Sequence, residues 1–318
     1  MTTTYRPFGS SIFFAFLIVI LSTSCGNSPQ SSTKASAPPK KKVSFKNIEG
    51  IAYTEVRRQY DDSLGFNQYG YRLEPEWQIT FLPKDSIRIF SLVLQKFITE
   101  SVKIDHDSVA NIAHSWIRVK QMSRDSLLFQ VLYVKDMKID DGKGQIFMKL
   151  YSNDLIKNKL HTTAAELQKA PRRDSLFIKR KADSSRIDPT KAFAAYHPAV
   201  LSPKTPQVQV TKKTVEKADA LTDVTLADNY LSPTYKVTIQ NAYADFNYYM
   251  QVIVGADGKL HFVKPLIGMM EDVEHRTKIM KGIVDGYLST YLNITPGSTL
   301  GYPHASMVLI RVIGTTKK

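Results

Sequence analysis

Cysteine is almost absent from this sequence: Cys25 is the only one in 318 residues. No intrachain disulfide and no multi-thiolate zinc or iron–sulfur site can be built from one thiol. Acid is scarce as well, with 29 Asp and Glu against 43 Lys and Arg, a formal charge of +14. Glycine and proline number 15 each, which excludes collagen-like and low-complexity classes. Recognisable catalytic patterns are also missing: there is no G-x-S-x-G, H-E-x-x-H, Walker loop or G-x-G-x-x-G. What remains is 43% apolar and 10% aromatic residues, enough for real cores, in a length that suits two ordinary domains.

The N-terminus assigns a compartment. A short polar start with Arg6 leads into residues 12–21 (IFFAFLIVIL), ten apolar residues without a charge. As a helix these cover roughly 15 Å, about half a bilayer core, so the run reads as a secretory signal and not as a spanning segment. Ser22, Thr23 and Ser24 follow, then Cys25. That arrangement resembles the lipobox of bacterial lipoproteins, although Ser22 stands three places before the cysteine, where Leu is commonest. The resemblance implies cleavage after residue 24 and a lipid anchor on Cys25. Residues 25–42 are rich in Ser, Pro and Lys and hold no acid, as a flexible tether would. Gly26 after the cysteine implies, by the same resemblance, the outer membrane, with the protein facing the periplasm. Export argues against a nucleic-acid partner, despite the charge.

The mature chain is predicted to be α+β, with two small mixed domains. In the first, residues 43–160, residues 76–82 alternate as a half-buried strand. Ile87, Phe90, Leu94, Phe97 and Ile98 fall at helical spacing over 86–99, a stretch whose β-branched residues also permit a strand. A short helix is expected at 107–114. Residues 127–139 and 145–151 read as strands joined by a turn at 140–144 (DDGKG). Residues 161–230 read as a basic, Pro-containing linker; the window 157–217 alone holds 14 Lys and Arg against five acids, 14 − 5 = +9. The C-terminal unit, 231–314, is expected to be an antiparallel three- to four-stranded sheet on one long helix. Its strands are 235–242, 246–254, 260–267 and 306–313, and the helix spans 271–292.

The order strand, Asp257-Gly258 turn, strand, helix, Pro296-Gly297, strand resembles the C-terminal domain of TonB-type proteins. The matching residues are 252–254, Asp257-Gly258-Lys259, the helix from Glu271, residues 294–297, Gly301 and 308–312, about 80 of 318 residues. The aromatic that usually precedes the Pro-Gly is replaced by Leu292-Asn293-Ile294. The short, cleaved apolar segment does not fit energy transduction. The resemblance therefore implies a binding module that pairs a strand edge with an extended peptide. The closing strand is the candidate edge, with Met307 and Leu309 on it, and Tyr243, Phe246, Tyr248 and Tyr249 are candidate anchors for the partner.

Neither catalytic nor metal-ligating residues are assigned, and no cofactor is expected. Glu271 with His275 is an ordinary charged helix start, and Asp105-His106-Asp107 a polar turn. His161, His197, His261 and His304 are scattered singly. The expected function is non-catalytic: a periplasmic lipoprotein that binds or assembles an envelope protein. The alternative is a cell-wall glycan binder or processor using the basic connector and exposed tyrosines.

Overall fold

The computed structural model describes residues 42–135, 138–140, 145–216, 225–266 and 272–317. The expected signal sequence, Cys25, the expected tether before residue 42, most of the 140–144 turn and Glu271 lie outside the described residues.

The first half of the chain closes an eight-stranded antiparallel barrel. Its strands are β1 (Ala52–Tyr60), β2 (Gln78–Leu82), β3 (Ser86–Ser91), β4 (Lys96–Ile104), β5 (Val109–Ile112), β6 (Ser115–Met122), β7 (Ser126–Val131) and β10 (Ile146–Ser152). A short ribbon, β8 (Tyr133–Lys135) with β9 (Lys138–Asp140), leaves the wall between β7 and β10. Neighbours in sequence are neighbours in the wall, and β10 closes it by pairing along β1 from Tyr53–Ser152 to Tyr60–Ile146. Alternation places Tyr53, Ile79, Phe81, Ile87, Ile89, Ile117, Leu127, Phe129, Met148 and Leu150 in one buried cluster. An eight-stranded barrel is just wide enough for such side chains to fill it. Phe45, stacked on Phe81 at 4.2 Å, plugs the end where the chain enters.

Five strands form the second sheet, in the order β12 (Val208–Lys213), β13 (Thr234–Gln240), β19 (Ser306–Thr315), β14 (Phe246–Val254), β15 (Leu260–Pro265). β13 and β19 run parallel and the other pairs antiparallel. One face is covered by α4 (Val273–Gly282) and the π-helical turn Ile283–Leu288 that continues it; Met280, Ile283, Val284 and Leu288 bury against Val237, Met250, Val252, Val308, Ile310 and Val312.

These findings correct the α+β expectation. Strand accounts for 44% and helix for 22%, the helices are short, and the first unit is a closed barrel. Residues 86–99 are β3 and β4: Ile87 and Ile89 point inward while Arg88 is exposed, a period of two. An apolar run that short fits both periods, and its β-branched residues favour the pleated one. The expected helix at 107–114 is β5 and its turn. Ala113 and His114 have φ of 46° and 64°, a two-residue hairpin loop with both residues left-handed. The C-terminal sheet is mixed and five-stranded, with no single long helix. Its closing strand is the central one, paired on both sides, so Met307 and Leu309 do not lie at an edge. The edges are β12 and β15.

Residues 161–230 hold α1 (Ala164–Leu167), α2 (Arg172–Ile187), β11 (Val200–Pro203), β12 and α3 (Asp228–Leu231). α2 ties the barrel to the second sheet. Its Asp174 forms a bidentate pair with Arg57 of β1, at 2.7 and 3.0 Å, and also accepts the Gly65 N–H. Ile178 packs with Phe66 and Phe193, and the Ser185 hydroxyl accepts the Ala305 N–H.

Candidate functional site

The face of the second sheet away from α4 is built by strand alternation. Register places Tyr249 opposite Arg311, Gln251 opposite Leu309, Ile253 opposite Met307 and Asn247 opposite Ile313. The parallel pairing adds Thr234 beside Leu309 and Lys236 beside Arg311. Paired residues share a face, so this surface carries an apolar strip of Tyr249, Met307, Leu309 and Ile313. Beside it a shallow hollow of about 560 Å³ is lined by Thr211, Lys213, Thr234, Lys236, Asn247, Tyr249 and Arg311, with Tyr235. None of the five strands contains an Asp or Glu. Lys213 and Lys236 have no ion pair among the described residues, and Arg311 donates to the Asn247 carbonyl at 3.0 Å. Among the described residues the strands put cations and no carboxylate on this face.

The six residues predicted as anchors divide between two surfaces. Tyr249, Met307 and Leu309 lie together on this open face. Phe246 and Tyr248 alternate to the other side and pack against the α4-covered core. There they join a ladder of rings: Tyr248 to Phe246 at 5.7 Å, Phe246 to Tyr243 at 5.7 Å, Tyr243 to Tyr287 at 6.0 Å and Tyr287 to Tyr291 at 5.8 Å. Tyr243, its middle ring, is 61% exposed. Phe246 covers Gly314, where a β-carbon would meet its ring.

A second concavity, about 580 Å³, lies between the β1–β2 loop, Tyr196, β12 and α3. Tyr71, Tyr196 and Tyr230 line it with Arg58, Arg72, Glu74, Glu76 and Lys212. The Tyr196 hydroxyl donates to Glu74, the Arg72 guanidinium sits 4.9 Å over the Tyr196 ring, and Tyr230 stands 5.2 Å from that ring while its hydroxyl accepts the Arg72 N–H. Burial pushes the Tyr230 phenol up to about 12 and also raises Tyr196, where Glu74 adds to the effect. These phenols stay protonated near neutrality, suited to hydrogen bonding and ring contact and not to base chemistry. Its floor is a buried pair: Glu55 takes two bonds from Arg58, at 2.8 and 2.7 Å, and two more from the N–H groups of Glu76 and Trp77.

His304, one of the scattered histidines, is fully buried. It stacks on Phe193 at 3.7 Å, and its Nδ1 lies 3.0 Å from the Ala305 carbonyl, so that nitrogen carries the proton. Nε2 then accepts from the Thr299 hydroxyl at 3.0 Å. Burial lowers its pKa to about 4. Every polar atom of the ring is used internally, which makes this a packing element and not a reactive one. Among the described residues no group of three His, Cys, Asp or Glu is placed to hold a metal.

Sequence reading missed both the concentration of cations on one face and the tyrosine cleft. The first was visible in principle: the strands hold four lysines and an arginine and no acid, and alternation puts Lys213, Lys236 and Arg311 on one face once the strand partners are known. The cleft joins residues about 160 positions apart, and no local pattern signals it. Comparison with models of known protein families and with curated proteins finds no match.

Proposed function

We propose that this chain is an exported envelope lipoprotein, anchored through Cys25 and facing the periplasm, that binds or assembles a partner protein without catalysis. The C-terminal sheet is the binding element. An acidic, extended segment of the partner adds to the β12 edge and reaches over the open face, where its carboxylates meet Lys213, Lys236 and Arg311 and its apolar residues meet Tyr249, Met307 and Leu309. The observation that carries this reading is a sheet face on which the described residues place cations and an apolar strip but no carboxylate. Lys212 and Lys213 on β12 suit such an edge, since lysine discourages self-pairing yet favours an acidic strand. The resemblance of residues 252–312 to TonB-type modules, read from the sequence alone, implies strand addition as well, though at the closing strand and not at β12. A photo-crosslinking residue at Thr211 tests it in cells: one dominant captured envelope protein, with an acidic segment at the junction, is expected. Capture of nothing specific overturns it.

The tyrosine cleft favours a second reading, a glycan-binding protein, because three rings and alternating Arg and Glu side chains suit the faces and hydroxyls of a sugar. Retention on purified peptidoglycan in high salt, lost in Tyr196→Ala, is the result that selects it.

A further inference from the structure

The hairpin of β3 and β4 outgrows the barrel. β2 accompanies β3 only from Ser86 to Ile89, and β5 accompanies β4 only from Val102 to Ile104. Past these points Phe90, Ser91, residues 92–95, Lys96 and Phe97 form a free two-stranded finger. Its tip is Leu92, Val93 and Leu94, exposed by 51%, 91% and 56%, with Phe97 at 44% just behind. Three consecutive aliphatic side chains at a hairpin tip are costly to leave in water and unusual for a solvated turn.

Two backbone groups of the tip are paired within it. The Ser91 hydroxyl accepts the Leu94 N–H at 3.2 Å, and the Gln95 side-chain amide donates to the Leu92 carbonyl at 2.6 Å. Such pairing lowers the cost of carrying those two groups out of water. Behind the apolar tip come Arg88, seated 4.9 Å over the Phe97 ring, and Lys96, both exposed; residues 88–99 contain no acid. Lys96 stands at the first residue pair behind the tip and Arg88 at the fourth, its guanidinium carried forward over Phe97, so both cations lie behind the aliphatic side chains as anionic headgroups lie behind acyl chains.

We propose that this finger is a membrane-inserting tip: Leu92, Val93 and Leu94 enter the acyl region of an anionic bilayer, and Arg88 and Lys96 bind its phosphates. The inference rests on the envelope reading above, which brings a bilayer within reach. The tether enters at Val43, whose N–H bonds Asp107 at the far end of β4, about 30 Å from the tip. Residues 26–42 extend to roughly 60 Å, so an anchor on Cys25 and an inserted tip are compatible.

The test uses the full chain carrying Val93→Trp, with and without Cys25→Ala, on phosphatidylethanolamine–phosphatidylglycerol vesicles with brominated acyl chains. Quenching in excess of that from native Trp77 and Trp116 is expected, and Val93→Asp should lower vesicle binding of the Cys25→Ala chain about tenfold while leaving its thermal midpoint unchanged. Excess quenching in the lipidated chain alone still supports insertion, with the tether supplying effective concentration. No excess quenching in either chain, or a crosslink from position 93 to a protein without quenching, overturns it. Fatty-acid labelling at Cys25 is read separately: its failure removes the anchor, whereas quenching by the Cys25→Ala chain keeps the tip.

Discussion

At the scale of single residues, His304 shows how context decides chemistry. In sequence it is one of several isolated histidines; in the fold it is a neutral, fully used packing group. Its folded pKa of about 4 lies below the ordinary 6.5. The unfolded chain therefore takes up a proton between pH 6.5 and 4 that the folded chain refuses. Stability is fully present above pH 6.5 and falls as the pH drops, by about 3 kcal/mol at pH 4. Urea midpoints measured across this range should converge for the native chain and His304→Gln as pH falls, because the variant lacks this slope. Parallel pH profiles would contradict the assignment. His114 carries the opposite lesson. It is exposed and holds φ 64° in a tight hairpin loop, so His114→Gly should raise stability by about 0.5–1 kcal/mol in a denaturant titration.

At the scale of elements, the C-terminal strands were legible because each alternates cleanly between turns with known chemistry. The strand 246–254 agrees with β14 to the residue, and the Asp257-Gly258 turn closes as read, with Gly258 at φ 81°. The hairpins of the barrel were harder. Its β5–β6 turn uses Ala113-His114 where Asn-Gly would announce a hairpin, and Ile87 through Ile98 satisfies helical and strand periods together. Sheet order was not legible at all: nothing local says that β19, last in sequence, lies between β13 and β14. That placement moves Met307 and Leu309 from an expected edge to the centre of an open face. It also splits the tyrosines, since successive residues of one strand must face opposite ways.

At the scale of the whole molecule, the stretch expected to be a linker is the hinge of the architecture. α2 carries exposed cations on one side, which explains the basic composition, and on the other the buried Asp174 that clamps Arg57 of the barrel. Asp174→Ala leaves a largely buried guanidinium and the Gly65 N–H without their acceptor, and should cost about 3–5 kcal/mol. Replacing both partners, Arg57→Met with Asp174→Leu, should recover much of that loss. A cost below about 1 kcal/mol in the single variant would show that the clamp contributes little. With barrel and sheet held by this helix, the finger proposed to enter a membrane and the sheet proposed to bind a partner belong to one folded unit.

The central claim, that the open sheet face recognises an acidic protein segment, is tested most directly by crosslinking from Thr211 in cells, comparing the native chain with the double reversal Lys236→Glu and Arg311→Glu. Both side chains are exposed, so the fold should survive. One dominant adduct is expected in the native chain and its loss, at least tenfold, in the reversed one, with export and abundance unchanged. An adduct of equal yield in both would contradict it.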